Sequence, residues 1–248
     1  MDPVSNLAPH QPELKPLYLQ IQELLIERVV NGEWGPGEML PSEMRLASEY
    51  NVHQGTVRKA LDAMAMRNLI VRQQGKGTFV ATVSMRHSPF SYFKLVLIDN
   101  PSERPVSHFI SIAVSAASEA ERIALQLDDV RDKVVRATRL RSFATGPAII
   151  EEIAYPQDMF PGLDDLLRKL HPDTTYGLLE QKYRVLITTV KEKLGPAAAS
   201  PFDAEHLRVR PGEPLLRIER LAFALDGRPA EWRVSRCTKA CEYVVDQM

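Results

Sequence analysis

The sequence is poor in cysteine and has no long apolar run, and each absence excludes a class of protein. Only Cys237 and Cys241 are present, four residues apart and without a histidine nearby. Neither a disulfide framework nor a zinc site is indicated, and both thiols are expected to be reduced and unpaired. No apolar stretch approaches the roughly 20 residues of a membrane-spanning helix, and the first 15 residues have neither a basic start nor an apolar export segment. We therefore expect a cytoplasmic protein with no membrane partner.

A strong net charge is also absent, which at first argues against a nucleic-acid partner. The formal net charge of the 248 residues is −1, but this average conceals a gradient. Residues 16–52 contain two arginines and six glutamates, a net charge of −4, whereas residues 53–82 contain five basic residues and one aspartate, a net charge of +4. The positive charge is therefore concentrated in one short segment.

Apolar spacing predicts three helices near the start of the chain. The first runs from Leu17 to Asn31, a short second helix is capped by Ser42, and the third runs from about Gln54 to Arg67. Asn68 can take the left-handed conformation that closes the third helix. The faces expected to be buried are Leu17, Ile21, Leu24, Leu25 and Val29, then Leu46, Ala47 and Tyr50, then Val57, Ala60, Leu61 and Met64.

A two-stranded hairpin is predicted after the helices, because apolar segments flank Gln74-Gly75-Lys76. Three helices and a hairpin make a winged helix-turn-helix, whose third helix is narrow enough to enter a major groove. The outer face of that helix carries Gln54, Gly55, Arg58 and Lys59. The alternative is a small basic domain that binds protein. Because the charge falls on the third helix and the hairpin, we favour double-stranded operator DNA as the partner.

Several short motifs at fixed spacing add a family resemblance to this interpretation. They are Pro16-Leu17-Tyr18, Gly37, Leu40-Pro41-Ser42-Glu43, Leu46-Ala47, Thr56-Val57-Arg58, Ala60-Leu61 and Gly75-Lys76-Gly77-Thr78. With them, residues 16–80 resemble the DNA-binding domain of the GntR family of bacterial transcription regulators. The resemblance implies DNA contacts from Arg45 at the start of helix two, from Thr56 and Arg58 on helix three, and from Gly75 and Lys76 at the tip of the hairpin, or wing.

One position departs from the family pattern. This chain has His53 and Gln54 where the family usually has serine and arginine. Glutamine pairs best with adenine rather than guanine, so we expect an atypical operator. His53 is expected to act as a weak helix cap.

The remainder of the chain is predicted to form a second domain, residues 92–248. Residues 1–15, with three prolines, are predicted to be a flexible tail, and residues 83–91 a linker. Strand-like segments flank Thr145-Gly146-Pro147 and Asp226-Gly227, which predicts two hairpins. Both have an Arg-Leu pair seven residues before the glycine and a Pro-Ala pair after it, so a weak repeat places two related hairpins in one antiparallel sheet. Helical periodicity in residues 117–127, 163–170 and 176–183 completes an α+β domain.

The second domain carries a resemblance of its own. The matching text is Arg139-Leu140-Arg141, Glu151-Glu152, Phe160-Pro161-Gly162-Leu163, Tyr176, Leu178-Leu179-Glu180, Gly212 to Leu216, Glu219-Arg220, Asp226-Gly227-Arg228-Pro229 and Glu231-Trp232-Arg233. It is similar to the UTRA effector domain, which marks the HutC subfamily and has a chorismate-lyase-like fold. The resemblance implies a small-molecule effector, and by family position its site would include Ser91, Thr174, Tyr176, Glu231 and Arg233.

The residues themselves point to the same site. Arg139 and Arg141 project to one face of a strand, about 6.6 Å apart, and two guanidinium groups so placed can hold a carboxylate or phosphate. Glu151 on the partner strand could accept a hydrogen bond from a ligand. The alternative for all these residues is a solvated charged sheet face, and Arg233 could simply pair with Glu151.

Together these features predict a ligand-responsive repressor that binds DNA as a homodimer, because one recognition helix reads too few base pairs for a genomic search. One alternative is a DNA-binding dimer whose second domain only assembles. Another is an enzyme, because the fold is shared with a lyase. No base, nucleophile or metal set accompanies Glu151 and Glu231, so no catalytic residue, metal or cofactor is expected.

Overall fold

The computed structural model describes residues 15–82, 92–172 and 174–245. The predicted linker, all but the last residue of the predicted tail and the candidate effector contact Ser91 lie outside these ranges. None of the described helices is long and apolar enough to cross a membrane.

The N-terminal part, which we call the head, is a winged helix-turn-helix, as predicted. Its elements are α1 (Leu17–Val30), α2 (Glu43–Glu49), α3 (Gln54–Met66), β1 (Ile70–Gln73) and β2 (Gly77–Val80), and the two strands pair antiparallel. The predicted caps are confirmed. Ser42 Oγ accepts the Arg45 N–H at 3.3 Å, His53 Nδ1 accepts the Gly55 N–H at 3.0 Å, and Asn68 has φ of 55°.

The core of the head lies between α1, α2 and α3. Leu25, Leu46 and Val57 are fully buried there. The prediction was wrong for two residues of α1, because Leu17 is 50% exposed and Leu24 is 43% exposed. Leu17 is the first residue of the helix, and Leu24 lies about 100° around the helix from the fully buried Leu25.

The C-terminal part is built on a six-stranded antiparallel sheet in the order β4-β5-β6-β9-β8-β7. Its strands are β4 (Val106–Ala116), β5 (Lys133–Phe143), β6 (Gly146–Pro156), β7 (Ile187–Ala198), β8 (Pro214–Ala224) and β9 (Pro229–Cys237). A small second sheet pairs β3 (Leu95–Leu97) with β10 (Cys241–Tyr243). The helices are α4 (Glu119–Leu125), α5 (Leu163–Leu170), α6 (Thr175–Tyr183) and α7 (Pro201–Leu207).

The two predicted hairpins, β5-β6 and β8-β9, are present and lie side by side through the β6-β9 pairing. The repeat extends further than the sequence suggested. Each hairpin follows a long edge strand and a seven-residue helix, and Ser118 and Ser200 begin those helices with the same capping box. Sequence analysis missed both edge strands, β4 and β7. In β7 the strand contains Gly195-Pro196, a pair typical of turns, although proline is tolerated at a sheet edge.

The two sides of the sheet are covered differently. Helices α5 and α6 pack with the largest apolar cluster, around Val135, Tyr155 and Phe160, on one side. The opposite side carries α4 and α7 with two smaller clusters. Cys237 and Cys241 are free thiols, as predicted, and burial raises the pKa of Cys241 to about 11.

Candidate functional sites

The eight proposed DNA contacts lie on the accessible surface of the head. The residues at all of these positions are exposed or half-buried: Arg45, Gln54, Gly55, Thr56, Arg58, Lys59, Gly75 and Lys76. Gly75 has φ of 72° in the wing turn, a conformation that glycine adopts without strain. Lys59 lies 6.0 Å above the Tyr18 ring of α1.

A carboxylate that sequence analysis treated only as a family marker connects this surface. Glu43, the first residue of α2, accepts hydrogen bonds from Gln54 Nε2 at 3.2 Å, Arg58 Nε at 3.0 Å and Arg72 Nη1 at 3.2 Å. We call Glu43, Gln54, Arg58 and Arg72 the head cluster. Burial alone would raise the pKa of Glu43, but hydrogen bonds from Arg58 and Gln54 outweigh it and lower that pKa. The feature of the sequence that could have indicated this role is the position of Glu43 directly after the cap residue Ser42, at the start of α2.

The candidate effector residues meet on the side of the sheet that α6 covers. Arg139 lies opposite Glu151 in the β5-β6 register. Glu151 Oε2 accepts from Arg139 Nε at 2.7 Å and Arg141 Nε at 2.9 Å, while Oε1 accepts from Arg233 Nη1 at 3.1 Å. We call these four residues the pocket cluster. The Arg233–Glu151 pairing that the sequence left open is therefore present.

The pocket cluster is buried, which excludes the alternative of a solvated sheet face for these residues. The exposed fraction of the Arg139 side chain is 0%, that of Arg141 3% and that of Arg233 7%. Burial alone would raise the pKa of Glu151, but the three guanidinium charges hold it well below its usual range. Burial, together with the charge of Arg139, lowers the pKa of Arg141 to about 10. Arg141 remains protonated at neutral pH, but an added anion would stabilise its charged form.

Three further predicted residues, Glu231, Tyr176 and Thr174, lie beside the cluster. Glu231 is fully buried and accepts from Arg233 Nη2 at 2.7 Å and from the Tyr176 hydroxyl at 2.9 Å. Thr174, just before α6, lines a cavity of about 30 Å³ beside the arginines. The cavity is lined by Tyr92, Phe93, Arg139, Arg141, Thr174, Thr175, Tyr176, Arg220 and Arg233.

Sequence analysis missed Arg220 as a site residue, although the hairpin repeat aligned it with Arg139. It is 8% exposed, lines the cavity and donates from Nε to Glu192 at 2.8 Å. It also donates to the Tyr92 carbonyl oxygen. Tyr92 and Phe93 were missed as well, and they close the cavity. The Tyr92 ring packs edge-on against Tyr176 at 5.4 Å, and the Arg141 guanidinium lies 4.8 Å above the Phe93 ring.

Three buried nitrogens of this site have no hydrogen-bond partner among the described residues. They are Arg139 Nη1, Arg139 Nη2 and Arg233 Nε. Buried polar groups are ordinarily hydrogen-bonded, so each such atom calls for a physical explanation. Donors of this kind are suited to the oxygens of an anion.

Comparison with known proteins identifies the family. A model of the UTRA domain matches residues 102–239, and a model described as bacterial regulatory proteins, gntR family, matches residues 17–80. The chain belongs to the GntR family. It is a DNA-binding transcription regulator with a UTRA domain, not an enzyme.

Curated relatives match this GntR-family regulator over most of their own length. The HTH-type transcriptional regulator YurK of Bacillus subtilis is 28% identical over 221 residues, covering 86% of this chain and 88% of YurK. The mannosyl-D-glycerate transport/metabolism system repressor MngR of Escherichia coli is 28% identical over 222 residues, covering 88% of this chain and 90% of MngR.

Solved structures agree with the fold. The ligand-binding domain of a GntR-family regulator from Bordetella bronchiseptica superposes with a TM-score of 0.58 at 29% identity, over 62% of this chain and 96% of that one. The regulator YydK of Bacillus subtilis superposes with a TM-score of 0.54 over 94% of this chain and 99% of that one, and at 18% identity it shows the fold alone.

Proposed function

We propose that this regulator is a repressor whose operator affinity is set by a small anionic molecule bound at the pocket cluster. The observation that carries the proposal is the excess of buried donors. Four buried arginines face three glutamates with buried side chains in and beside the cavity, and Lys94 also pairs with Glu192 at 3.5 Å, so positive charge is in excess there. The arginines are Arg139, Arg141, Arg220 and Arg233, and the glutamates are Glu151, Glu192 and Glu231. A carboxylate or phosphate would balance that charge and use the unpartnered nitrogens.

The size of the cavity indicates that binding requires movement. Ligand pockets are typically about 300 to 1,000 Å³, and this cavity of about 30 Å³ is far smaller, so we infer that a metabolite displaces Tyr92, Phe93 or the start of α6. Tyr92 and Phe93 directly follow residues 83–91, the predicted linker to the head. Displacement of this segment by a ligand would therefore act on the connection between the two domains.

A second set of contacts supports coupling to the head. Helix α6 starts with Thr175 and Tyr176 at the effector cavity and ends with Tyr183 at a cleft of about 310 Å³ that Val29 of α1 also lines. Leu225, in the turn after β8, packs against the core of the head. We infer that the angle between the domains is the element that the effector shifts, with a coupling of about 1 to 3 kcal/mol.

The regulator is further proposed to act in the cytoplasm as a homodimer on a twofold-symmetric operator. Two recognition helices multiply sequence discrimination, and the effector domain would supply most of the interface. Sedimentation that shows a monomer at micromolar concentration, both with and without DNA, would contradict this part of the proposal.

Thermal unfolding tests the effector site directly. The full chain is titrated with orthophosphate, with glucose 6-phosphate and with uncharged glucose, and then with a panel of anionic metabolites at constant ionic strength. A ligand at 100 times its Kd stabilises the folded state by about 2.7 kcal/mol. We expect at least one anion to raise the melting temperature and to change affinity for DNA, and glucose to do neither. If no anion in the panel binds, the second domain serves only in assembly.

Variants then locate the site. Replacing Arg139 and Arg141 by alanine should abolish the response to the active anion while DNA affinity without ligand stays within a few fold of wild type. The matched control is Arg136→Ala, on the same strand but on the opposite face, where Arg136 pairs with Glu121 at 2.6 Å. A double variant that still responds normally would place the site elsewhere. Linkage also requires that DNA change the affinity for the anion by the same factor.

A further inference from the structure

Glu43 places a carboxylate within the surface that the head is proposed to present to DNA, where the backbone phosphates would repel it. Its side chain is only 18% exposed, although Arg58 and Arg72 beside it are 58% and 37% exposed. A residue that only added negative charge at this surface would oppose binding. Its contacts indicate a different role.

The geometry of the Glu43–Arg58 pair fixes one edge of the guanidinium group. Glu43 Oε2 accepts from Arg58 Nε at 3.0 Å and lies 2.9 Å from Nη2. A guanidinium group is a rigid planar fork with five N–H donors. Holding the Nε–Nη2 edge against Glu43 of α2 therefore directs Nη1 away from Glu43.

Glu43 also orients Gln54, the second side chain that is proposed to read bases. Glu43 can only accept hydrogen bonds, so the end of the Gln54 amide that faces it is the NH₂ group, with Nε2 at 3.2 Å. The amide carbonyl must then point away from Glu43. Glutamine recognises adenine through both ends of its amide, so a fixed amide orientation determines what Gln54 can read.

Arg72 connects the wing to Glu43. It lies on β1, donates to Glu43 at 3.2 Å and pairs through Nη2 with Asp62 of α3 at 2.9 Å. One carboxylate on α2 thus contacts α3 and the first wing strand. The proposed DNA contacts lie on α2, on α3 and in the wing turn that follows β1.

We propose that Glu43 is a positioning residue for sequence reading, which orients Arg58 and Gln54 without contacting DNA itself. The proposal rests on the DNA contacts proposed for these two residues. The effect that it predicts for a Glu43 variant differs from the effect of removing a negative charge alone. Loss of a negative charge alone would raise affinity for every DNA sequence, whereas loss of a positioning residue lowers preference for the operator over other sequences.

The test compares affinities of the full chain for two duplexes, one selected by the wild-type protein from a random-sequence pool and one of scrambled sequence. Glu43→Ala should lower the ratio of the two affinities about tenfold or more, since a well-placed bidentate contact discriminates bases by about that factor. The matched control is Asp62→Asn. It removes one negative charge and one partner of Arg72 but leaves the hydrogen bonds to Arg58 and Gln54, so the ratio should stay within about threefold of wild type.

A repeat of the selection with Glu43→Gln separates positioning from stability. This variant keeps the side-chain shape and one acceptor oxygen, and its fold is checked by thermal unfolding. We expect the base preference at the step that Gln54 reads to become broader. The proposal is overturned if either Glu43 variant raises affinity for both duplexes equally, or if the variant selects the same sequence as wild type.

Discussion

The head cluster and the pocket cluster contain the same kind of contacts, but the first is exposed to water and the second is buried. In the head cluster Glu43 accepts hydrogen bonds from two arginines and a glutamine, and in the pocket cluster Glu151 accepts them from three arginines. The arginines of the head cluster are 37% to 58% exposed, whereas those of the pocket cluster are at most 7% exposed. The same contacts are therefore screened by water in one domain and removed from water in the other.

This difference decides what each cluster can do. Exposed ion pairs contribute only about 0.2 to 1 kcal/mol to stability, so the arginines of the head cluster can keep their contacts with Glu43 and contact DNA as well at little cost. Buried charges are costly unless paired. The pocket cluster therefore cannot open without a replacement partner, which is a suitable property for a site that responds to an anion.

The largest expected effect comes from removing the buried carboxylate. Glu151→Gln leaves Arg139, Arg141 and Arg233 without their shared counter-charge and should lower the free energy of unfolding by about 3 to 5 kcal/mol. Denaturant unfolding measures it. Glu152→Gln is the matched control, because the next side chain on β6 faces the opposite side, is 52% exposed and pairs with Arg236. It should cost no more than about 1 kcal/mol. Equal effects would show that the buried charges are compensated by other groups.

The pH dependence of the free energy of unfolding, compared between wild type and Glu151→Gln, tests this assignment further. The arginines hold the pKa of Glu151 well below its usual range in the folded state. The stabilisation is thus complete above the unfolded pKa of about 4.3 and is lost as pH falls through the folded pKa. The advantage of wild type over Glu151→Gln should be constant from pH 8 to about pH 6 and shrink in acid. An advantage that grows on acidification would contradict the assignment.

Within the head, apolar packing should outweigh the exposed cluster. Met64 on α3 is 1% exposed, and Met64→Ala should lower the free energy of unfolding by about 2 to 5 kcal/mol through the cavity it leaves. Met66→Ala is the control, because Met66 is 79% exposed on the same helix. Its effect should be within about 0.5 kcal/mol. Similar losses for the two variants would place Met64 outside the core.

Sequence periodicity predicted the head well because its information is local. The caps at Ser42 and His53 and the left-handed Asn68 are each specified by a few neighbouring residues. The core assignment was wrong for Leu17 and Leu24, because periodicity shows that a helix has an apolar side but not how far a neighbouring helix covers it.

The pocket was less predictable for a physical reason. Strand alternation placed Arg139 and Arg141 on one face, but whether a charged face is buried depends on α6, which comes from distant sequence. Glu43 was missed for a similar reason, since its partners Gln54, Arg58 and Arg72 follow 11, 15 and 29 residues later. The hairpin repeat, which aligned Arg220 with Arg139, did carry a sequence signal for one missed site residue.

Arg58→Ala should weaken DNA binding without a large change in stability, because the side chain is exposed. If Arg58 neutralises one phosphate, the slope of log K against log salt should fall in magnitude by about 0.9. The measurement is affinity for the selected duplex over a range of salt concentrations, with Met64→Ala as a comparison that affects folding instead. An unchanged slope would remove Arg58 from the phosphate contacts.

The smallest expected effect is on the folding stability that the head cluster provides. Glu43→Gln should lower the free energy of unfolding by no more than about 1 kcal/mol at low salt, because its arginine partners are exposed to water. The difference should disappear in 1 M salt, where the screening length is about 3 Å. The loss caused by Glu151→Gln should persist in the same salt, since ions cannot reach the buried pocket cluster. Parallel urea titrations of both variants at low and high salt measure the contrast. A salt-resistant loss for Glu43→Gln would mean that Glu43 stabilises the head as a buried structural charge.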